Sequence, residues 1–341
     1  MLLIKPELVA GLDDVHGIRT ALQSAVELEH STIPPYLYAI YSLGTDNGDI
    51  ADIIVSVVAE EMAHVALVCN ILNAIGGHPA IDTPRFIPTY PGPLPATVEH
   101  ALSVPLERMS IDLIKKVFMK IEEPEKPLNI PTAAAAPHPL TIGMFYAKIK
   151  AAIQAADKKK NIFTGHQSLQ VTHHFASAEV VAVTSVEDAA HAIDLIVEQG
   201  EGTTTSPLDG DELAHYYRYW EIAEGKQLVP HHDPQPGTPP WRFDGPPIPF
   251  DATKVLPVIA NPKTSKYPAG SAAQRGCQTF NYTYTNLLKV LHDTFNGHAD
   301  RLPTAIGLME SLNEQAQALM TTDSGIGGSA GPSFEYQPTN Q

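Results

Sequence analysis

The chain has 341 residues, of which 43% are hydrophobic, and a formal net charge of −16. That is apolar content enough for a sizeable core and the wrong sign for a nucleic-acid-binding surface. Two distant cysteines, Cys69 and Cys277, exclude a disulfide framework and a zinc ribbon and fit a reducing, cytoplasmic setting. The N-terminus, Met-Leu-Leu-Ile-Lys-Pro, lacks a basic stretch ahead of an apolar one, and no apolar run approaches the ~20 residues that span a bilayer. A soluble protein with no membrane or nucleic-acid partner is expected.

In chain order, Val15, Ile18, Leu22, Val26, Ile33 and Leu37 recur at three- and four-residue intervals and predict a helix over 12–43, kinked or locally broken at Pro34–Pro35. Residues 50–75 predict a second helix, with Ile54, Val57, Val58, Val65, Val68, Leu72 and Ile75 on one broad face, stopped by Gly76–Gly77 and Pro79. Within it, Cys69 reads as a buried structural thiol. Helices come next at about 105–121 and 141–159, joined by an Ala/Pro connector, Thr132–Pro139. Short extended pieces are expected at 168–184. Helical spacing resumes at 186–201 and, after a loop, at 211–223, and two more helices run over 272–296 and 302–320. The 30 prolines gather around 79–95, 124–139 and 230–268, which makes the connections long and irregular. We read these as insertions into one domain, 1–320, followed by a flexible Gly/Ser/Pro-rich tail, 321–341.

The pattern E-x-x-H sets a carboxylate and an imidazole about 300° apart in helical phase, so both look out from one face. It occurs at Glu27–His30, Glu61–His64 and Glu212–His215. About one match arises by chance, so helical phase decides which ones count. Glu61–His64 interrupts an apolar face, where burying either group unpaired is costly; the competing reading is a buried ion pair. Glu212–His215 opens an aromatic-rich helix, although acidic residues also favour a first turn for dipole reasons. Glu27 shares its side of the helix with Thr20, Gln23, Ser24 and Ser31 and reads as solvated, and His30 as merely polar. Glu29 lies in phase with Leu22, Val26, Ile33 and Tyr36 and is the inward carboxylate. In the fourth segment Glu201 comes after the apolar steps Ile193 and Val197, whereas Glu198 aligns with the polar Glu187, His191 and Asp194. Glu201 is therefore preferred, with Glu198 in reserve; the glycines beside it could instead mark only a helix end.

Together, Glu29, Glu61, His64, Glu201, Glu212 and His215 form a set of one Glu from each of two helices and Glu-x-x-His from two others. That is the ligand set of ferritin-like dinuclear carboxylate bundles. Mixed oxygen and nitrogen ligation suits two iron ions, or manganese, better than copper. The expected fold is all-α, a ferritin-like four-helix bundle with additional helices and long proline-rich loops. Its core helices are 12–43, 50–75, 186–201 and 211–223, with the remaining helices outside.

The stretches ELEHSTIPPYLYAIYSL (27–43), AEEMAHVALVCNILNAIGGHP (59–79), EQGEG (198–202) and DELAHYYRYW (211–220), with FNYTYTNLLKVLHDTFNG (280–297) and LPTAIGLMESLNEQAQALM (302–320), resemble the ferritin-like domain family named for iminophenylpyruvate dimer synthase. That domain stands at the N-terminus of violacein and rebeccamycin pathway enzymes. The resemblance covers nearly the whole chain and implies the bundle and its metal ligands. The pathway enzymes are much longer, so their dimer-synthase activity is not carried over. The function expected is that of a non-haem di-iron oxidoreductase using dioxygen on a small metabolite, in secondary metabolism. The alternative is a metal-binding or storage protein without an organic substrate. A homo-oligomer is compatible with the sequence.

Overall fold

A computed structural model describes residues 2–44, 47–98, 102–124, 140–173, 175, 178–202, 206–231 and 239–337. Helix α1 (Val15–Ser42) starts at Asp14, whose side chain accepts from the Gly17 amide at 2.8 Å, the usual way of satisfying a free N-terminal donor. It packs lengthwise on α2 (Gly48–Ala74). From Val57 to Ala74 every residue of α2 except Met62 is buried. A helix enclosed on all sides is the centre of its bundle.

Pro34 and Pro35 do not break α1, which is assigned as one helix through both. Pro35 cannot donate to the Ser31 carbonyl four residues back, and the Tyr90 hydroxyl does so instead at 2.6 Å. The lost helical bond is thus replaced from the loop that succeeds α2.

Helix α3 (111–121) contains a π-helical segment, Ile114–Phe118. Helix α4 (Ile142–Lys159) buries Phe145, Tyr146, Ile149 and Ile153 against α1 and α5. Helix α5 (Val186–Glu201) buries Ala189, Ala192, Ile193 and Ile196 and ends at Gly202, whose φ of +74° favours glycine. A two-residue antiparallel hairpin, β1 (Leu208–Asp209) and β2 (Glu212–Leu213), leads into α6 (His215–Glu224). A second hairpin, β3 (Val229–Pro230) and β4 (Trp241–Arg242), comes after it. The last two helices, α7 (Ala272–Thr294) and α8 (Leu302–Met320), form a helical hairpin, and α8 also packs against α1. No helix among the described residues is long and apolar enough to cross a membrane.

Three expectations change. Helices 105–121 and 141–159 are not peripheral: α3 packs on α6, and α4 on α1 and α5. The extended pieces at 168–184 are irregular, because the Asn70 side chain takes the carbonyls of Val171 and Val181, at 2.7 and 2.9 Å, that a strand partner would have taken. The segment 321–337 is packed rather than loose, with Ala330, Ser333 and Phe334 buried and the Tyr267 hydroxyl donating to the Gly331 carbonyl. The connector Thr132–Pro139 and residues 338–341 lie outside the described residues.

Candidate metal centre

Glu61 and His64, one turn apart on the central helix, are 3% and 2% exposed and face α1. From α1, Glu29 reaches them: its Oε2 lies 3.4 Å from His64 Nδ1, which is 3.9 Å from Glu61 Oε1. On the other side of Glu61, α6 presents His215, with Nδ1 3.0 Å from Glu61 Oε1 and 3.5 Å from Glu122 Oε2. Glu122 is the residue just after α3. Two buried triads result, Glu29–Glu61–His64 and Glu61–Glu122–His215, each with donor atoms within 4.8 Å of one another. They share Glu61, and their imidazoles stack at 5.5 Å.

Both imidazoles are held from outside by Nε2. His215 Nε2 lies 3.0 Å from Glu60 Oε2, and Glu60 is in turn gripped by Arg218 at 2.7 Å. His64 Nε2 lies 2.8 Å from Gln199 Oε1. A carboxylate or amide oxygen only accepts, so Nε2 must carry the proton and donate. That leaves Nδ1 of both rings facing the carboxylates, the arrangement in which outer partners orient a metal-ligating histidine. The carboxylates are oriented too. Tyr146 donates to Glu29, Tyr36 to Glu122, and Thr32 Oγ1 to Glu61 Oε2 at 2.8 Å.

Electrostatics separate the neighbours Glu60 and Glu61. Burial raises the Glu60 carboxyl, but His215 and Arg218 outweigh it and hold the pKa down at about 2. Glu61 lacks the arginine; burial, then the charge of Glu122, outweigh the nearby His215 and push it up to about 7. Burial disfavours the imidazoliums, yet Glu122, Glu60 and Glu61 hold His215 well above its ordinary range, and Glu29 and Glu61 raise His64. Negative charge is in excess inside the bundle, and a cation is what would relieve it.

The structure brings together Glu29, Glu61, His64 and His215 of the residues singled out in the sequence. Glu201 lines the same cavity but belongs to neither triad; its Oε1 accepts from the Gly143 amide at 3.1 Å, in the first turn of α4. A Cβ at Gly143 would stand 3.0 Å from that oxygen. Glu198 is exposed on α5. Glu212 is corrected: it sits in β2, 61% exposed at the side chain and paired with Arg218 at 3.0 Å. The helix begins only at His215, because Asp209–Gly210 turns the chain into a hairpin. Glu27 is half-buried and accepts from Gln23 at 3.2 Å. Of the tyrosines on α1 and α6, Tyr36 reaches Glu122, whereas Tyr216 and Tyr217 pack with Trp220.

Glu122, Glu60 and Tyr146 escaped the sequence reading. Glu122 and Glu123 lie just past the expected helix end at 121 and before Pro124, and acidic groups at a helix C-terminus oppose its dipole, the signal that could have singled Glu122 out.

His215 Nδ1 bears on whether these residues fit a metal pair. It is wholly buried and, although close to two carboxylates, makes no hydrogen bond of acceptable geometry. A donor atom aimed at carboxylates but not bonded to them suits coordination better than an ion pair. Three carboxylates with two imidazoles match the oxygen and nitrogen preference of iron or manganese.

A ferritin-like family model matches residues 22–224. The chain is 24% identical to dichlorochromopyrrolate synthase of Lentzea aerocolonigenes over 92% of its own length, and it spans 35% of that enzyme. The crystal structure of a ferritin-like protein from Caulobacter vibrioides superposes with a TM-score of 0.62 at 21% identity, covering 95% of this chain and 99% of that one. The matched span contains both triads, and this chain belongs to the ferritin-like family.

Proposed function

We propose that the chain is a dinuclear non-haem metal oxidoreductase, with iron as the metal and manganese as the second choice. The observation that carries this reading is the pair of buried triads sharing Glu61. Glu29 and His64 would hold one ion, Glu122 and His215 the other, and Glu61 would serve both. Glu201 is a further carboxylate at the edge of the cavity. When bound, two iron ions supply the electrons for reaction of dioxygen with an organic molecule.

The chain's own part is to position and to shield. Glu60 and Gln199 fix the tautomers of the two histidines, and Tyr146, Tyr36 and Thr32 fix the carboxylates. Leu2, Leu28, Ile121, Ile142 and Ile196 wall the cavity against water. Its similarity to dichlorochromopyrrolate synthase supports a small metabolite of secondary metabolism as the substrate. The two free, buried cysteines support a cytoplasmic setting.

A second reading, metal binding without an organic substrate, is favoured by the size of the cavity beside the carboxylates. At about 40 Å³ it takes dioxygen or water but no metabolite. Metal analysis followed by rapid mixing of the ferrous protein with dioxygen tests both. The oxidoreductase reading expects about two irons per chain and an oxygen-dependent visible band that decays faster with substrate present. Bound iron that oxidises with no effect of any organic compound would favour metal binding alone. Failure to bind iron or manganese would overturn both.

A further inference from the structure

A second cavity, of about 480 Å³, lies on a neighbouring face of α1 and α2 and shares no lining residue with the first. At 100° per residue, His30 beside Glu29 and Met62 beside Glu61 set it about a quarter-turn from the carboxylates. Its walls come from α1, α2, α7 and α8, closed by Phe334. Among the described residues no Asp, Glu, Lys or Arg lines it, whereas Tyr41, Phe175, Tyr284, Phe295, Met62 and Met309 do.

The volume falls in the range of small-molecule pockets, ~300–1,000 Å³. It equals about one helical turn with its side chains, ~500 Å³ from the ordinary helix dimensions, so a peptide segment has no room. Exposed Val55, His173 and Asn313 mark the entrance. Among the polar groups inside, His30 stands out. His30 is 6% exposed, and its Nε2 lies 3.0 Å from the Tyr284 hydroxyl. Its Nδ1 is buried with no hydrogen-bond partner among the described residues. A buried ring nitrogen left unpaired is costly and calls for an explanation. A ligand seated in the cavity that His30 lines supplies one.

We propose that this cavity is a binding site, separate from the metal centre, for an uncharged aromatic molecule carrying one hydrogen-bonding group that pairs with His30 Nδ1. The rings and thioethers in the wall favour an aromatic body, and the lack of charged lining residues excludes an ion. Either tautomer of His30 leaves Nδ1 available, as donor or acceptor.

The probe is N-phenyl-1-naphthylamine, an uncharged aromatic amine whose fluorescence rises in apolar surroundings. Saturable binding is expected, with the same dissociation constant in metal-free and iron-loaded protein. Met309→Trp fills the cavity from α8 and should weaken binding about tenfold or more by steric exclusion, with unchanged circular dichroism. His30→Phe keeps an aromatic ring in place and removes both nitrogens, Nδ1 among them. It should weaken the amine about fivefold while leaving the hydrocarbon 1-phenylnaphthalene within about twofold. Absence of saturable binding, indifference to Met309→Trp, or displacement of the probe by iron would overturn the proposal. Should Met309→Trp not fold, Ile306→Phe narrows the same wall. A crystal structure of the wild-type chain with the probe then decides: density against His30 supports the site, and density elsewhere overturns it.

Discussion

Glu61 is the one side chain common to both triads, so its removal acts on both ions and that of Glu122 on one. Glu61→Ala should leave the protein without tightly bound metal, Glu122→Ala should lose about one ion per chain, and Glu212→Ala should lose none. Metal content after desalting reads all three. If Glu212→Ala lost as much as Glu122→Ala, the β1–β2 hairpin would have to rewind into helix on metal loading and carry Glu212 inward. The same residues mark where sequence reasoning stops. Glu29, Glu61 and His64 are legible because they sit on long uninterrupted helices, where phase carries over many residues. Glu212 misleads because E-x-x-H has meaning only if one helix runs through both residues, and Asp209–Gly210 delays that helix to His215. Glu60 is hidden by its neighbour: two adjacent glutamates on an enclosed helix both find buried partners, one in the triads and one in His215 and Arg218.

Elements place these side chains, and α3 does so by an irregularity. The π-helical segment Ile114–Phe118 takes up one residue more than α-helical turns would, so the residues after it lie about 100° behind where an unbroken α-helix of the same sequence would put them. Leu113 and Ile114 at its start, and Ile121 beyond its end, are all buried, and Glu122 is delivered to His215. Lys115 and Lys116 lie exposed on the segment. Deleting Lys116 should let α3 close as a regular α-helix with both of its ends in their present phase, so that Glu122 stays beside His215. Metal content should be unchanged, with helix content unchanged by circular dichroism. Loss of about one ion per chain in the deletion variant would mean that the wide turn itself is needed to place Glu122. Periodicity could find the helices at 111–121 and 142–159 but not their rank, since an amphipathic helix looks alike whether it covers a surface or lines a site.

At the scale of the molecule, a net charge of −16 is compounded by Glu29, Glu60, Glu61 and Glu122 gathered inside one bundle, against His64, His215 and Arg218. Without metal, part of that charge is offset by protons. Glu61 has a folded pKa of about 7, above its unfolded value, and that of His215 is also raised. The folded chain therefore holds protons that the unfolded chain has released, and its stability falls as pH rises from 6 to 8. Metal reverses the sign, because coordination needs Glu61 as carboxylate and the histidines neutral, and proton competition fades in the same interval. The melting temperature of metal-free protein should thus be lower at pH 8 than at pH 6. Iron or manganese at one fixed concentration, about 100 times the dissociation constant at pH 8, should raise it on the order of 5 °C or more at pH 8, and by less at pH 6. Thermal unfolding of chelator-treated and reloaded protein at the two pH values measures this. A metal-induced increase that is larger at pH 6 than at pH 8 would mean that the ions bind outside the triads, since only ligands that give up protons to the metal produce the predicted order.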